Sequence, residues 1–174
     1  MPQQGQTAVI MPVPAADPIL AAVAAEYPDA VRPGIPAHVS LLYPFLPAEA
    51  LDAEVSDWLS DLATRTPPLA PRFTELVVEP GFAHLSVPEF GPLTSAIRAR
   101  WPEVVPYGGR FGPTPVAHLT IAMGFAPADA DRITALTRPF LPLSVTVDEL
   151  WLLALTSGWQ RLGRFPFSGS RGAD

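Results

Sequence analysis

Two stretches of the chain share one pattern: GIPAHVSLLYPFLPA over residues 34–48 and GPTPVAHLTIAMGFAPA over residues 112–128. In each, a proline precedes Ala-His, and a hydrophobic residue and then a hydroxyl residue follow. The histidines, His38 and His118, are 80 residues apart. At the same offset other pairs also match: Phe45 with Phe125, Pro47 with Pro127, Ala48 with Ala128 and Ala50 with Ala130. The repeat is too long for a solenoid and indicates two supersecondary units packed about a pseudo-two-fold axis.

The order of elements within each half indicates the fold class. Each half contains a strand, a proline break, a helix and a hairpin, and the turn at Pro80-Gly81 predicts antiparallel pairing. We therefore predict an α+β fold, a single domain over residues 1–174 with two pseudo-symmetric lobes. The lobes are expected at about 34–88 and 112–167. Two antiparallel sheets would flank a central cleft, with the helices outside and the two repeated histidines facing one another.

Local patterns predict the individual elements. Apolar residues recur at helical spacing between Ala48 and Thr64. Residues 102–115 contain four prolines and three glycines, which indicates a long loop. The other expected helices lie at 17–27, 92–101 and 128–138, and the expected strands at 7–13, 38–45, 73–79, 82–87, 116–125, 144–155 and 160–167.

Composition excludes several classes of protein. The 174 residues include no cysteine, which excludes a disulfide scaffold and cysteine-ligated zinc. No apolar run has the length of a transmembrane helix, so we expect a soluble, cytoplasmic monomer. The net charge of −6 argues against long duplex nucleic acid, which binds to basic surfaces. A small anionic ligand remains compatible with this charge.

All three histidines are followed two positions later by a hydroxyl residue: His38 by Ser40, His84 by Ser86 and His118 by Thr120. On a strand, residues i and i+2 point to the same face. Two such strands related by a pseudo-two-fold axis would bring two imidazoles and two hydroxyls to one point. One neutral and one protonated imidazole can act as general base and general acid on a phosphodiester, with the hydroxyls stabilising developing charge.

Four segments together resemble the 2H phosphoesterase superfamily, in particular the bacterial 2'-5' RNA ligase family. They are AVIMPVP (8–14), GIPAHVSLLYPFLP (34–47), RWPEVVPYGG (100–109) and AHLTIAMG (117–124), and the resemblance extends from about Thr7 to Phe167. It implies two α+β lobes with antiparallel sheets lining a cleft. It also implies hydrolysis of 2',3'-cyclic or related phosphodiesters or of 2'-5' linkages, with reversible RNA ligation in some members.

The resemblance assigns the family's two tetrapeptide motifs to four residues of this chain. His38 and His118 would be catalytic, and Ser40 and Thr120 would contact the substrate. Serine at position 40 replaces the commoner threonine and keeps the hydroxyl.

Further residues could contact a ligand, each with an ordinary structural alternative. Arginine binds phosphate through two parallel hydrogen bonds. The candidates for such a contact are Arg32 and Arg110 in the long loops and Arg161 on a hairpin strand. Phe82, Phe111 and Trp159 could stack on a base, although such residues usually belong to the core. Tyr43 is expected to pack, and His84 is expected on or near the cleft wall.

The sequence thus predicts a metal-independent phosphodiesterase that needs no cofactor and acts on a small nucleotide or a short RNA end. Three alternatives remain at this stage. The same cleft could bind an RNA end or nucleotide without turnover, or ligate RNA reversibly. A metallohydrolase could instead use His38, His84 and His118 as zinc ligands.

Overall fold

The computed structural model describes residues 3–169. The strands are β1 (Thr7–Pro12), β2 (His38–Leu42), β3 (Arg72–Phe73), β4 (Val77–Glu79), β5 (Phe82–Ser86), β6 (His118–Met123), β7 (Leu143–Ser144), β8 (Glu149–Leu155) and β9 (Trp159–Pro166). The helices are α1 (Asp17–Ala24), α2 (Ala53–Arg65), α3 (Gly91–Arg100) and α4 (Ala130–Thr137). Helices and antiparallel strands together confirm the predicted α+β class.

Seven of the strands form one antiparallel sheet with the order β4-β5-β6-β2-β1-β8-β9. β3 and β7 form a separate two-stranded sheet. The two expected sheets are therefore joined. Their junction is narrow, because β2 and β6 share a single registered pair, Val39 opposite Leu119.

The strand pairing defines the repeat differently from the predicted segments 34–88 and 112–167. One copy runs β1-α1-β2-α2-β3, and the second runs β5-α3-β6-α4-β7. The strand that follows each copy pairs with the first strand of the other copy: β4 with β5, and β8 with β1. The Pro80-Gly81 hairpin thus joins the two copies, whereas the sequence pattern had placed it inside one of them.

Matching hydrogen bonds mark the new boundaries. The Val13 amide donates to the Ala37 carbonyl at 2.6 Å, and the Val87 amide donates to the Ala117 carbonyl at 2.9 Å. Both valines stand between the first strand and first helix of their copy, and both carbonyls precede a histidine strand. These bonds fix each histidine strand beside the strand–helix turn of the same copy.

Helix α2 begins later than the pattern from Ala48 to Thr64 indicated. The Asp52 carboxylate accepts the Val55 amide at 3.0 Å and caps the helix at that point. Residues Ala48–Ala50 form a single 3-10 turn after Pro47. The cap satisfies a free amide at the helix start, so it overrides the apolar pattern that extends upstream.

Two expected strands are each interrupted. The segment 73–79 divides into β3 and β4, and the segment 144–155 divides into β7 and β8. In both places the first piece leaves the large sheet, because β3 and β7 pair with each other. Apolar runs in the sequence do not reveal such a change of sheet.

The main core lies between one face of the large sheet and the helices. All four helices contribute buried residues to it, among them Ile19, Leu59, Ile97 and Ile133. A smaller buried cluster of Ala8, Ile10 and Leu153 lies apart from this core, and Tyr43 and Trp159 pack against it. Residues of β1 thus alternate between the two clusters, and within the described part of the chain no helix contributes a residue to the smaller one. Within residues 3–169, no helix has the length and apolar character needed to cross a membrane.

Truncation of Leu119 tests the junction of the two halves. Leu119 is fully buried and forms the β6 side of the single β2–β6 pair. We expect Leu119→Ala to lower the free energy of unfolding by about 2–5 kcal/mol, because it leaves a cavity in the core. Denaturant unfolding measures this loss. Leu162→Ala is the matched control: its side chain is 53% exposed, and a change within about 0.5 kcal/mol is expected. Equal effects of the two substitutions would contradict the assigned role of the junction.

Candidate active site

A cleft of about 470 Å³ opens on the face of the sheet that carries the smaller cluster. His38 and Ser40 of β2 and His118 and Thr120 of β6 all line it, so the structure brings the four motif residues together. No aspartate or glutamate of the described residues lines this cleft, although the protein as a whole is acidic. The wall offers hydroxyls, imidazoles, guanidinium groups and aromatic rings.

Strand alternation explains why these side chains meet. Val39 and Leu119 are both fully buried in the main core. Because successive side chains on a strand point to opposite faces, burying these two residues directs their neighbours toward the cleft. The sequence pattern predicted this arrangement of the motif residues on the two strands.

Both cleft histidines make the same hydrogen bond. His38 Nδ1 lies 2.8 Å from the Pro36 carbonyl oxygen, and His118 Nδ1 lies 2.8 Å from the Val116 carbonyl oxygen. A carbonyl oxygen only accepts, so Nδ1 carries the hydrogen in each ring. In the neutral form, Nε2 is then the nitrogen with the lone pair. The bond also fixes each ring relative to its strand.

Burial lowers the pKa of both imidazoles below the ordinary value of 6.5. For His38 the Pro36 carbonyl partly opposes this effect, and the nearby charge of His118 adds to it. For His118 the Val116 carbonyl and Glu79 raise the pKa, whereas Arg98 lowers it. A ring in such a site releases its proton readily, and protonation of either ring disfavours protonation of the other.

Aromatic rings surround His118 on several sides. The ring centroid of Phe82 lies at 5.4 Å, that of Phe111 at 5.8 Å and that of Tyr107 at 5.7 Å, and Tyr107 stacks with an interplanar angle of 28°. His84 approaches edge-on at 5.3 Å. Phe82 and Phe111 also line the cleft, so they are available to a ligand beside His118.

Tyr107 is a cleft residue that sequence reasoning missed. Burial raises the pKa of its phenol, and the neighbouring Ser40 side chain partly opposes this effect. Its amide donates to the Tyr43 carbonyl at 2.6 Å, and its φ of 53° is unusual for a residue other than glycine. Gly108 and Gly109 continue the positive-φ turn, so the Tyr-Gly-Gly sequence in the long loop was the available signal.

His84 lies beside the cleft rather than on its wall. It stands opposite Thr120 in the β5–β6 register and stacks on Phe82 at 4.9 Å. Its Nδ1 is buried without a hydrogen-bond partner within residues 3–169, unlike the corresponding atoms of the two cleft histidines. Burial lowers the pKa of His84, and the charge of His118 lowers it further, whereas Glu79 raises it.

Arg98 is a second group near the site that the sequence did not identify. Its Nη1 donates to the Pro115 carbonyl at 3.2 Å, close to the start of the His118 strand. Within the described residues its Nε is buried without a partner. Burial lowers the pKa of Arg98, and Tyr107 raises it.

The three candidate arginines separate into two groups. Arg32 and Arg110 line the cleft. Arg161 does not: it lies on β9, at the sheet edge, with its guanidinium carbon 4.7 Å from the centre of the Trp151 ring. That Arg161 contacts the ligand stays a prediction: it stands opposite Leu153, a residue of the smaller cluster on the cleft face of the sheet.

Tyr43 packs as expected, but against the smaller cluster on the cleft side of the sheet. It lines the cleft, and its hydroxyl donates to Gln6 Oε1 at 3.1 Å. Strand β2 ends at Leu42, so the alternation that placed Tyr43 on the core side no longer applies at this residue. Trp159 packs against Tyr43 with ring centroids 6.0 Å apart and lines the cleft as well.

The geometry does not favour a metal centre. Within the described part of the chain, no three histidine, aspartate or glutamate side chains are grouped to hold a metal ion. The three histidines therefore are not grouped as the zinc site considered as an alternative requires, and His84 is absent from the cleft lining.

Comparison with known families decides the relationship. The family model of the 2'-5' RNA ligase superfamily matches residues 11–159, which include both histidine strands and the loop of Tyr107. The chain belongs to the 2'-5' RNA ligase superfamily. This confirms the resemblance to 2H phosphoesterases, and membership supports an enzyme of the phosphoesterase type. No curated protein matches the chain at a significant level.

Solved structures of the superfamily fold share the architecture. TT0787 of Thermus thermophilus has 17% identity and a TM-score of 0.63, with 95% of this chain and 100% of that chain covered. The apo form of E. coli LigT has 17% identity and a TM-score of 0.60, with coverage of 96% and 99%. LigT complexed with 3'-AMP has 18% identity and a TM-score of 0.57, with coverage of 95% and 99%. At such identities the likeness establishes the fold.

The titration of the two cleft histidines in this superfamily member can be measured directly. Because burial disfavours the charged ring, we expect both imidazoles to titrate below pH 6.5 and to carry the hydrogen on Nδ1 when neutral. Long-range ¹H–¹⁵N spectra recorded across pH, assigned with single histidine substitutions, report both properties. A midpoint above 6.5 in either ring, or an Nε2-protonated neutral ring, would show that burial and the carbonyl bonds do not control these groups.

Proposed function

We propose that the protein is a metal-independent phosphodiesterase that hydrolyses a 2',3'-cyclic nucleotide-type phosphodiester or a 2'-5' linkage. The proposal rests on one observation, the presence of two similarly held imidazoles in one cleft. The Nδ1 atoms of His38 and His118 each bond a backbone carbonyl at 2.8 Å, and a hydroxyl residue follows each histidine two positions later. Two rings oriented alike, each with Nε2 unoccupied by these bonds, supply a base and an acid for in-line displacement at phosphorus.

The proposed step balances its protons between the two rings. Nε2 of one neutral imidazole takes a proton from water, whose oxygen attacks phosphorus. The bond from phosphorus to the leaving sugar oxygen breaks, and Nε2 of the protonated second imidazole donates its proton to that oxygen. The product is a phosphate monoester or, from a 2'-5' linkage, a nucleotide and a free hydroxyl. The pseudo-two-fold arrangement allows either histidine to take either role.

The rest of the cleft suits an anionic diester. Ser40 and Thr120 can donate hydrogen bonds to the non-bridging oxygens, where charge increases as water attacks. No carboxylate of the described residues lines the cleft to repel the phosphate. Aromatic side chains of the wall, including Phe82, Phe111 and Trp159, can stack on a base.

The proposed ligand is a small nucleotide or a short RNA end. E. coli LigT, at 16–19% identity to this chain, has been solved with 3'-AMP, ATP, NADP+ and phosphate. The volume of about 470 Å³ fits a nucleotide, and the net charge of −6 disfavours a long duplex.

Removal of either cleft histidine tests the chemistry. We expect His38→Ala and His118→Ala each to lower kcat by about two to four orders of magnitude, because each removes one proton-transfer group. The measurement is turnover of a panel of cyclic phosphates and 2'-5' dinucleotides with a chelator present. His84→Gln is the matched histidine control, with a loss of less than about tenfold expected, since His84 does not line the cleft.

The same panel separates the alternatives. Full activity in a protein lacking both cleft histidines would refute the paired mechanism, and loss of activity on adding chelator would indicate a metal. Unchanged ligand recovered after tight binding to the native protein would indicate a binding protein without turnover. Circular dichroism of each variant establishes that the fold is retained.

The pH dependence follows from the lowered pKa values of the two rings. The productive form has one ring protonated and the other neutral, and it is most abundant between the two pKa values, both below 6.5 in the free protein. We therefore expect a bell-shaped profile of kcat/KM with an optimum below pH 6.5. Above it, activity falls because the acid loses its proton. The profile of kcat should lie at higher pH, since a bound anion raises both pKa values. A profile that is flat between pH 5 and 8 would contradict the proposal.

A further inference from the structure

A second cavity of about 400 Å³ adjoins the cleft. Its walls come from the segment 28–33, from the end of β6 at Met123 and Gly124, and from Arg110 of the long loop. It includes none of the four motif residues. The two cavities share five wall residues: Ala30, Val31, Arg32, Arg110 and Met123. The shared wall thus lies between the proposed catalytic point and the second cavity.

Two arginines from opposite copies of the repeat lie in this shared wall. Arg32 precedes the His38 strand, and Arg110 precedes the His118 strand. Arg32 Nε lies 3.3 Å from the Met123 sulfur, and Arg110 lies with its guanidinium carbon 5.3 Å from the centre of the Phe111 ring. These contacts orient the two side chains without neutralising their charge.

Neither arginine has an acidic partner in the part of the chain that the structure describes. The ion pairs there involve Arg100, Arg132 and Arg164 instead. One carboxylate, that of Asp29, lies on the second cavity and pairs with neither arginine. In a protein of net charge −6, two arginines on one wall without an acidic partner in the described chain are a local exception to the overall charge.

We propose that Arg32 and Arg110 form a subsite for a second phosphate of the ligand, distinct from the phosphodiester at the histidines. This inference rests on the proposed function. The scissile diester has its own donors in the hydroxyls and the protonated imidazole. The arginines line the cleft at its border with the second cavity, so they take a phosphate on another part of the same ligand. Each arginine can bind phosphate through two parallel hydrogen bonds.

The substrate class follows from this placement. It is a nucleotide that carries a phosphate on its 5' oxygen in addition to the diester on the 2' oxygen. That phosphate is either a terminal monoester or the internal diester that joins a further nucleotide, which would then occupy the second cavity. Both forms present the same anionic oxygens to the arginines, and a comparison of the two ligands distinguishes them.

Calorimetric affinities of reaction products test the subsite without requiring turnover. The ligand pair is adenosine 2'-phosphate and adenosine 2',5'-bisphosphate, with the 3' and 3',5' isomers as a second pair. We expect the bisphosphate to bind about ten- to a hundredfold more tightly, and Arg32→Gln and Arg110→Gln each to remove most of this advantage. Arg138→Gln is the matched control, because Arg138 is exposed and lines neither cavity. It should keep the full advantage.

Equal affinities of the two ligands for the native protein would overturn the proposal, as would an advantage that survives in both arginine variants. A dinucleotide in which the 5' phosphate joins a second nucleoside identifies the source: tighter binding than the bisphosphate assigns the subsite to an internal phosphate, and weaker binding assigns it to a terminal one. Failure to hydrolyse any cyclic diester or 2'-5' linkage would refute the proposed function. The affinity difference would still decide whether the two arginines hold a second phosphate.

Discussion

The site depends on how β2 and β6 meet. Val39 and Leu119 form the single registered pair between these strands, and both are buried in the core beneath the helices. Because side chains alternate along a strand, the residues on either side of these two must point to the opposite face of the sheet. The same apolar contact that joins the two halves of the sheet therefore delivers both histidines and both hydroxyls to one cleft. Stability and site geometry arise from one junction.

The exchange of strands between the copies strengthens this arrangement. Since β4 pairs with the first strand of the second copy and β8 pairs with the first strand of the first copy, neither copy is complete alone. The small β3–β7 sheet adds another contact between equivalent elements of the two copies. Strand pairings on both sides of the cleft therefore hold it in place. Such rigidity suits chemistry that needs the two imidazoles at a fixed separation.

The repeat makes the two histidines alike in hydrogen bonding but unlike in surroundings. Both use Nδ1 on the carbonyl two residues upstream. Within residues 3–169, only the His118 imidazole is surrounded by aromatic side chains, those of Phe82, Tyr107 and Phe111. Two of these aromatic residues lie in the segment between α3 and β6, residues 101–117. This segment is longer than its counterpart in the first copy, residues 25–37. A local insertion thus gives each side of a nearly symmetric cleft its own chemical character.

The motif residues were predictable because the histidine-x-hydroxyl spacing and the 80-residue repeat can both be seen in the sequence. What the sequence did not reveal depends on contacts between distant segments. Tyr107 enters the cleft through a loop turn with positive φ, and the contact of the Arg161 guanidinium with the Trp151 ring depends on the register of β8 and β9. The charge of the cleft could not be predicted from the sequence either. The net charge of −6 describes the whole protein, whereas no carboxylate of the described residues lines the cleft. An acidic protein can bind a phosphate ester when the fold places arginines, here Arg32 and Arg110, on a cleft wall that has no carboxylate within the described residues.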